Sequence, residues 1–243
     1  MTYSKNRLVA MNLNVDIPSP AINSSVRLTS LSEVESRENG YEVLQQAGTV
    51  QIQLARPERG NSLSFALAKN LTRLFQTLST DSSVHRIVLT GKGKYFCTGM
   101  DLGEKLYESA IDRCLALQNL FEAIDTCPKT TVAVINGPAF GGGVGLAFVC
   151  DIRVAASTSF FCLSEVKLGL CPATISKFII REWGVSLARM AMLTARKIHP
   201  QTLHDMGVLH AVALDGEALK VVTENLLDDL GFAAPKHQPG ARL

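Results

Sequence analysis

The sequence has no strong excess of charge of one sign, few aromatic residues and no long apolar run. Its 24 lysines and arginines nearly balance 22 aspartates and glutamates, and aromatic residues make up 6% of the chain. Proteins that bind nucleic acid usually carry a strongly basic surface, which this composition does not supply. No apolar stretch reaches the roughly 18 residues of a membrane-spanning helix. We therefore expect neither nucleic acid nor a membrane among its partners.

Paired cysteines and clustered metal ligands are also lacking. His199 and His204 flank a predicted helix start with no third ligand nearby, so we expect no metal site. No C-x-x-C pair occurs, and we expect free core thiols in a reducing compartment. The six cysteines are Cys97, Cys114, Cys127, Cys150, Cys162 and Cys171.

Nucleotide-binding glycine patterns are missing as well. The residue three positions after Gly143 is Leu146, which excludes G-x-G-x-x-G, and residues 91–94 (GKGK) lack the frame of a phosphate-binding loop. We predict a simple turn at residues 91–94.

Apolar periodicity predicts an α/β protein in which strands alternate with helices. Residues 1–40 are polar, and their few apolar residues show no sustained helical or strand periodicity, so we expect a poorly ordered extension there. A hairpin is predicted around Ala47-Gly48, from strands at 41–46 and 50–55. Further strands are predicted at 87–89, 131–135, 152–156 and 160–163, and helices at 65–78, 111–125, from the glycine run to 150, 175–183, 187–193, 201–206 and 217–230.

The glycine run at residues 136–146 (NGPAFGGGVGL) lies between a predicted strand and a predicted helix. A tight turn is its simplest interpretation. Backbone without Cβ atoms can also approach a ligand closely, and a helix start offers unpaired N–H groups to negative charge. A second strand runs into glycines at residues 89–102 (LTGKGKYFCTGMDL), so two N–H groups could converge on one oxygen, as an enolate oxyanion requires.

Five segments in order resemble the crotonase superfamily of enoyl-CoA hydratases and isomerases: 56–64 (RPERGNSLS), 96–102 (FCTGMDL), 136–143 (NGPAFGGG), 150–153 (CDIR) and 164–170 (SEVKLGL). The resemblance implies a ββα spiral over residues 41–230 that binds acyl-CoA, followed by a short tail at 231–243. It also implies a homotrimer or hexamer. Coenzyme A would enter as part of the thioester substrate, with no separate cofactor. The mainly helical C-terminal part is shorter than is usual in the family.

The resemblance also implies which residues form the site. The oxyanion hole would be the backbone N–H groups of Thr98 and Gly142. Four residues would lie along the pantetheine and phosphate arm: Arg59, Asn61, Ser62 and Leu63. Five would surround the thioester: Cys97, Gly99, Met100, Asp101 and Gly141.

Glu165 is the candidate acid/base. A carboxylate in a largely dry pocket has a raised pKa that suits proton transfer, whereas a solvated acid at a strand end would have no such role. Other family members carry further acids at the positions of Gly145 and Ala173, which are absent here. The sequence therefore predicts a site with one carboxylate.

One carboxylate is sufficient for an isomerase, which moves a proton from C2 to C4 of the enoyl-CoA substrate. A hydratase must also hold a water molecule in the site. Residues 141–146 and 163–176 nevertheless resemble hydratases of the methylglutaconyl-CoA type and of fungal secondary-metabolite clusters. We predict an enoyl-CoA hydratase of fatty-acid or secondary-metabolite acyl-CoA metabolism. A Δ3-Δ2-enoyl-CoA isomerase is the alternative, and a non-catalytic binding or assembly partner is the second alternative.

The final residues Ala241-Arg242-Leu243 are similar to a peroxisomal S-K-L signal, which predicts a peroxisomal location. The alternative is a mitochondrial leader, because the first 32 residues contain Lys5, Arg7 and Arg27 with only Asp16 as an acid.

Overall fold

The computed structural model describes residues 39–103 and 109–231. In chain order its strands and helices are β1 (Tyr41–Gln46), β2 (Thr49–Leu54), α1 (Phe65–Thr80), β3 (Arg86–Gly91), α2 (Ala110–Asp125), β4 (Thr130–Ile135), β5 (Ala139–Phe140), α3 (Gly142–Phe148), β6 (Ile152–Ala156), β7 (Phe161–Cys162), α4 (Ser176–Thr194), α5 (Pro200–Asp205), β8 (Ala211–Ala213) and α6 (Gly216–Gly231). The predictions for residues 1–38 and for the tail at 232–243 fall outside the described residues.

The main sheet has the order β1-β2-β3-β4-β6-β8. β1 and β2 are antiparallel, with Tyr41 opposite Leu54, and every later neighbour is parallel. The hairpin turns at Ala47 and Gly48, which both have positive φ, as a tight connection of this kind requires. β3 and β4 are buried and rich in β-branched residues, which favours parallel strands covered by helices.

Side-chain caps fix the start of the two helices that face the site. The hydroxyl of Ser64 accepts a hydrogen bond from the Leu67 N–H at 3.1 Å and caps α1. Ser109 and Asp112 form a reciprocal capping box on α2. Gly184 has non-helical backbone angles, with φ of 73° and ψ of 162°, so it divides α4 into two helical arms, which confirms the two helices predicted at 175–183 and 187–193.

The hydrophobic core lies between the main sheet and the helices. Its largest enclosed side chains include Phe75, Phe121, Phe148, Phe161 and Phe178, each at most 1% exposed. Two loops follow the carboxyl ends of β3 and β4, and this close packing keeps both loops in fixed positions. The site is built on these loops.

The α/β class predicted from the sequence is confirmed, with a largely parallel sheet. The sequence did not predict the short strands β5 and β8 or the 3₁₀ turns at Pro57–Arg59 and Ser164–Leu168. The expectation that the thiols lie in the core is wrong for Cys114 and Cys171, which are exposed, while the other four are buried and all six are free. Within the described part of the chain, no helix is long and apolar enough to span a membrane.

Candidate active site

The glycine run lies where β5 ends and α3 begins. Gly141 has φ of 47°, a left-handed conformation that L side chains rarely adopt, and its N–H donates to the carbonyl of Cys162 at 2.9 Å. A Cβ at Gly143 would overlap the carbonyl oxygen of Cys97. Gly142 is the first residue of α3, so its N–H has no partner in the helix, and no other described residue accepts it.

The loop that follows β3, within residues 89–102, does not place the N–H of Thr98 beside Gly142, as the resemblance implied. It places a different N–H there. The N–H of Thr98 donates to the carbonyl of Gly60 at 3.0 Å, so the assignment of Thr98 as an oxyanion donor is wrong. Leu63 forms a parallel bridge with Met100, in which the Leu63 N–H donates to Gly99 at 2.7 Å and the Asp101 N–H donates to Leu63 at 3.0 Å. Such a bridge leaves the N–H of Met100 itself on the other side.

The N–H of Met100 therefore lies on the side of the loop that faces α3. A Cβ built at Gly142 would lie 3.7 Å from the Met100 nitrogen, and one built at Gly99 would lie 3.0 Å from the Gly142 nitrogen. No residue in the described ranges accepts a hydrogen bond from Met100. Gly142 and Met100 thus supply two unpaired N–H groups side by side.

Glu165 lies on the 3₁₀ turn that follows β7. Its carboxyl group is next to the glycine run, because a Cβ built at Gly141 would lie 3.0 Å from Oε1. Oε2 is buried and has no hydrogen-bond partner among the described residues. Burial raises the pKa of Glu165 above its ordinary value, and a hydrogen bond from its own backbone N–H opposes part of that increase.

The position of Gly145 has no room for a second carboxylate. A Cβ there would overlap Cγ2 of Ile175 and would lie 3.3 Å from Cζ of Phe121. Ala173, the other position at which the family can carry an acid, is exposed. Of these three positions, Glu165 is therefore the one at which the structure places a carboxyl group beside the glycine run.

Three residues expected to bind substrate instead hold the loops together. Asn61 is fully buried: its amide donates to the carbonyls of Lys92 and Tyr95 and its Oδ1 accepts the Arg56 N–H, so it has no free atom for a ligand. The Cys97 side chain is also enclosed, and burial raises the pKa of its thiol to about 12. For these two side chains the expected substrate contact is wrong.

The third is Asp101, which forms an ion pair with Arg56 at 2.9 Å and is only 6% exposed. Burial disfavours its charge, but hydrogen bonds from Arg56, the Gly103 N–H and Ser62 outweigh burial and lower the pKa of Asp101. Arg56 also donates to the carbonyl of Ser62. No role for Arg56 could be predicted from the sequence, because its partner lies 45 positions away.

Arg59 remains available to a ligand at the edge of this cluster. The Arg59 side chain is 50% exposed and lies 3.9 Å from Asp101. Leu63 is buried in the loop and lines a cleft with Ser64, Phe65, Met100, Arg113 and Leu117. Met100, which lines the cleft, also carries one of the two unpaired N–H groups. Across the described ranges, no cluster of three or more His, Cys, Asp or Glu side chains could hold a metal ion.

Comparison with known proteins identifies relatives of this architecture. Residues 44–236 match the family described as enoyl-CoA hydratase/isomerase. A protein of Alternaria alternata named enoyl-CoA hydratase AFT6-1 is 81% identical over 236 residues, which cover 97% of this chain and 79% of the relative. A mouse protein named mitochondrial Delta(3,5)-Delta(2,4)-dienoyl-CoA isomerase is 29% identical, covering 86% of this chain and 70% of the relative. The crystal structure of an enoyl-CoA hydratase from Bacillus anthracis is similar with a TM-score of 0.75 and 28% identity, covering 81% of this chain and 78% of that structure.

Proposed function

Because this chain belongs to the enoyl-CoA hydratase/isomerase family, we propose that it is an enoyl-CoA hydratase that adds water to the double bond of a 2-enoyl-CoA thioester. The observation that carries the proposal is the position of Glu165, whose unpaired carboxyl oxygen lies beside the glycine run. Coenzyme A enters and leaves as part of the substrate.

The N–H groups of Gly142 and Met100 hold the thioester oxygen. When water attacks C3, the electrons of the double bond move into the thioester carbonyl and form an enolate. Two fixed donors that are already free of partners stabilise this charge without having to reorganise. The pairing of Gly142 with Met100 replaces the pairing of Gly142 with Thr98 expected from the sequence.

Glu165 carries the proton in both halves of the reaction. As a carboxylate it takes one proton from water while the water oxygen bonds to C3, and as an acid it returns that proton to C2. The sum is one hydrogen and one hydroxyl added across the double bond, with Glu165 restored. A single carboxylate is therefore sufficient for hydration.

The names of relatives favour hydration over isomerisation. Three Alternaria relatives at 78–81% identity are named enoyl-CoA hydratases, whereas the relatives named dienoyl-CoA isomerases are 29–30% identical. Isomerisation by Glu165 remains the second candidate, because one carboxylate can also move a proton from C2 to C4. These fungal relatives suggest that the substrate is an acyl-CoA of secondary metabolism.

Incubation with 2-enoyl and 3-enoyl-CoA thioesters separates the candidates by product mass. Hydration adds the mass of one water, and isomerisation moves the double bond at constant mass. If no thioester gains water, the proposed reaction is wrong. If the protein binds these thioesters but converts none of them, it is a non-catalytic binding or assembly partner.

The homotrimer or hexamer implied by the family is a further part of the proposal. Leu168 and Leu170, beside Glu165 in the chain, expose more than half of their surface, and burying such side chains between subunits would be favourable. Light scattering during size-exclusion chromatography measures the subunit number directly.

A further inference from the structure

The direction of the Met100 N–H depends on the residues on either side of it, because no described residue accepts a hydrogen bond from it. Both neighbours bond to Leu63. The Leu63 N–H donates to the Gly99 carbonyl at 2.7 Å, and the Asp101 N–H donates to the Leu63 carbonyl at 3.0 Å. This bridge lies outside the strands of the sheets and consists of these two bonds. A backbone segment held by so few bonds opens easily unless side chains reinforce it.

The guanidinium group of Arg56 connects the two sides of this bridge. Its Nη1 donates at 2.6 Å to the carbonyl of Ser62, the residue before Leu63. Its Nη2 donates at 2.9 Å to Oδ2 of Asp101, the residue after Met100. Both donors belong to one rigid plane, so they set the distance and the angle between their two partners. The loop that carries Met100 cannot shift against Ser62 without straining or breaking one of these bonds.

Arg56 is itself held at its backbone and along its side chain. Its N–H donates to Oδ1 of the fully buried Asn61 at 3.0 Å, and its carbonyl accepts the Asn61 N–H at 2.8 Å. Its aliphatic stem packs against Gly40, because a Cβ at Gly40 would lie 3.1 Å from Cδ of Arg56. A side chain locked in this way can fix the position of the groups that it bonds.

We infer that Arg56 and Asp101 are positioning residues for the oxyanion hole, because their ion pair holds the N–H of Met100 where the thioester oxygen binds. The inference rests on the proposed function, which assigns this N–H as an oxyanion donor. Neither side chain has to touch the substrate in this role. A donor stabilises the enolate best when it already points at the oxygen, so a small displacement of Met100 should slow the reaction.

Infrared spectroscopy of a bound thioester tests the inference without any turnover. The probe is butyryl-CoA with ¹³C at the thioester carbonyl, which has no double bond to hydrate. Two fixed donors polarise the carbonyl, so its band should lie at a lower frequency on the unmodified protein than in the same buffer without protein. Arg56→Lys and Asp101→Asn should each lose about half of this shift, because one of two donors is displaced. Lysine keeps the charge but lacks the planar pair of donors.

The same two variants should separate catalysis from binding. Their kcat with a 2-enoyl-CoA thioester should fall by about 10-fold to 10²-fold, because a misplaced donor stabilises the enolate less. Their Kd for butyryl-CoA should change by less than about threefold, because a single hydrogen bond to an uncharged carbonyl contributes little to binding. Calorimetry measures the Kd.

Glu182→Gln is the matched control for the loss of a partly buried ion pair. Glu182 pairs with Arg153 at 2.8 Å, and the two side chains are 20% and 5% exposed, close to the 21% and 6% of Arg56 and Asp101. This pair joins α4 to β6 and does not involve the loop of Met100. Glu182→Gln should therefore lose stability but keep the full band shift and the full kcat.

Two results would overturn the inference. One is a full band shift in either Arg56→Lys or Asp101→Asn. The other is an equal loss of the shift in Glu182→Gln, which would mean that lower stability, and not a displaced Met100, is the cause. A shift that both variants weaken, without hydration of any 2-enoyl thioester by the unmodified protein, would support the positioning role and contradict the proposed reaction alone.

Discussion

Ile175 packs directly against Gly145, in the space that a second active-site carboxylate would have to enter. A Cβ at Gly145 would overlap Cγ2 of Ile175 and lie 2.8 Å from its Cβ. Ile175 is 1% exposed and sits at the start of α4, so the backbone cannot easily move away. The absence of a glutamate at position 145 is therefore built into the packing between α3 and α4.

Gly145→Ala should lower the free energy of unfolding by about 1–3 kcal/mol, because it overfills a packed core. Chemical denaturation measures the loss. Gly216→Ala is the matched control, since its Cβ would meet nothing within 4 Å, and it should cost little. In an Ile175→Ala background the penalty of Gly145→Ala should shrink; an unchanged penalty would mean that Ile175 is not the obstacle.

Gly142→Pro removes the N–H that we propose as an oxyanion donor. The substitution should lower the rate of turnover on the order of 10²-fold, because one of two donors to the enolate is lost. Proline is tolerated at the first position of a helix, so the fold should persist. Steady-state kinetics with a 2-enoyl-CoA thioester gives the rate.

Gly142→Ala is the control for that change. It keeps the N–H, and its Cβ would have only ordinary contacts, the nearest at 3.7 Å. It should retain most of the activity. Equal losses in Gly142→Pro and Gly142→Ala would count against the N–H as the functional group and in favour of a steric effect.

Asp101→Asn should lower the free energy of unfolding by about 2 kcal/mol at pH 7, because Arg56 loses a buried charged partner. The folded protein holds the pKa of Asp101 below the ordinary 3.8. The stabilisation is therefore complete above that value and is lost as the pH falls through the lowered pKa. Denaturation at pH 7 and at pH 3 compares the two proteins.

Glu122→Gln is the control for the loss of an ion pair. Glu122 pairs with Lys177 at 3.1 Å, but both side chains are more than half exposed, so the change should cost less than about 1 kcal/mol. If Asp101→Asn cost no more than Glu122→Gln, or if its cost did not shrink toward pH 3, the role given to the Arg56–Asp101 pair would be wrong.

Local sequence signals were sufficient to predict most of the elements. β3 and β4 are short β-branched runs between polar or glycine residues, and the hairpin turn has a glycine at its tip. β5 and β8 were missed because two or three residues carry no measurable alternation. Their existence depends on pairing with β7 and β6, which is a tertiary contact.

The sequence was sufficient to predict the kind of site, which is a pair of backbone donors beside one carboxylate. It was not sufficient to predict which atoms form that site. The glycine run and Glu165 stand out in the sequence. Which N–H of the second loop is free depends on its bridge to Leu63, 37 positions before Met100. For the same reason the sequence could not show that Asn61 and Cys97 are enclosed.

The rate of water addition to a 2-enoyl-CoA thioester by Glu165→Gln tests the central claim most directly. Glutamine keeps the size of the side chain but cannot accept the proton of water, so turnover should fall by roughly 10²-fold to 10⁴-fold with little loss of thioester binding. Glu224→Gln, an exposed position on α6, is the matched control and should be fully active. In D₂O the unmodified protein should place deuterium at C2 of the hydrated product. Near-normal hydration by Glu165→Gln would contradict the assignment of Glu165 as the group that moves the proton.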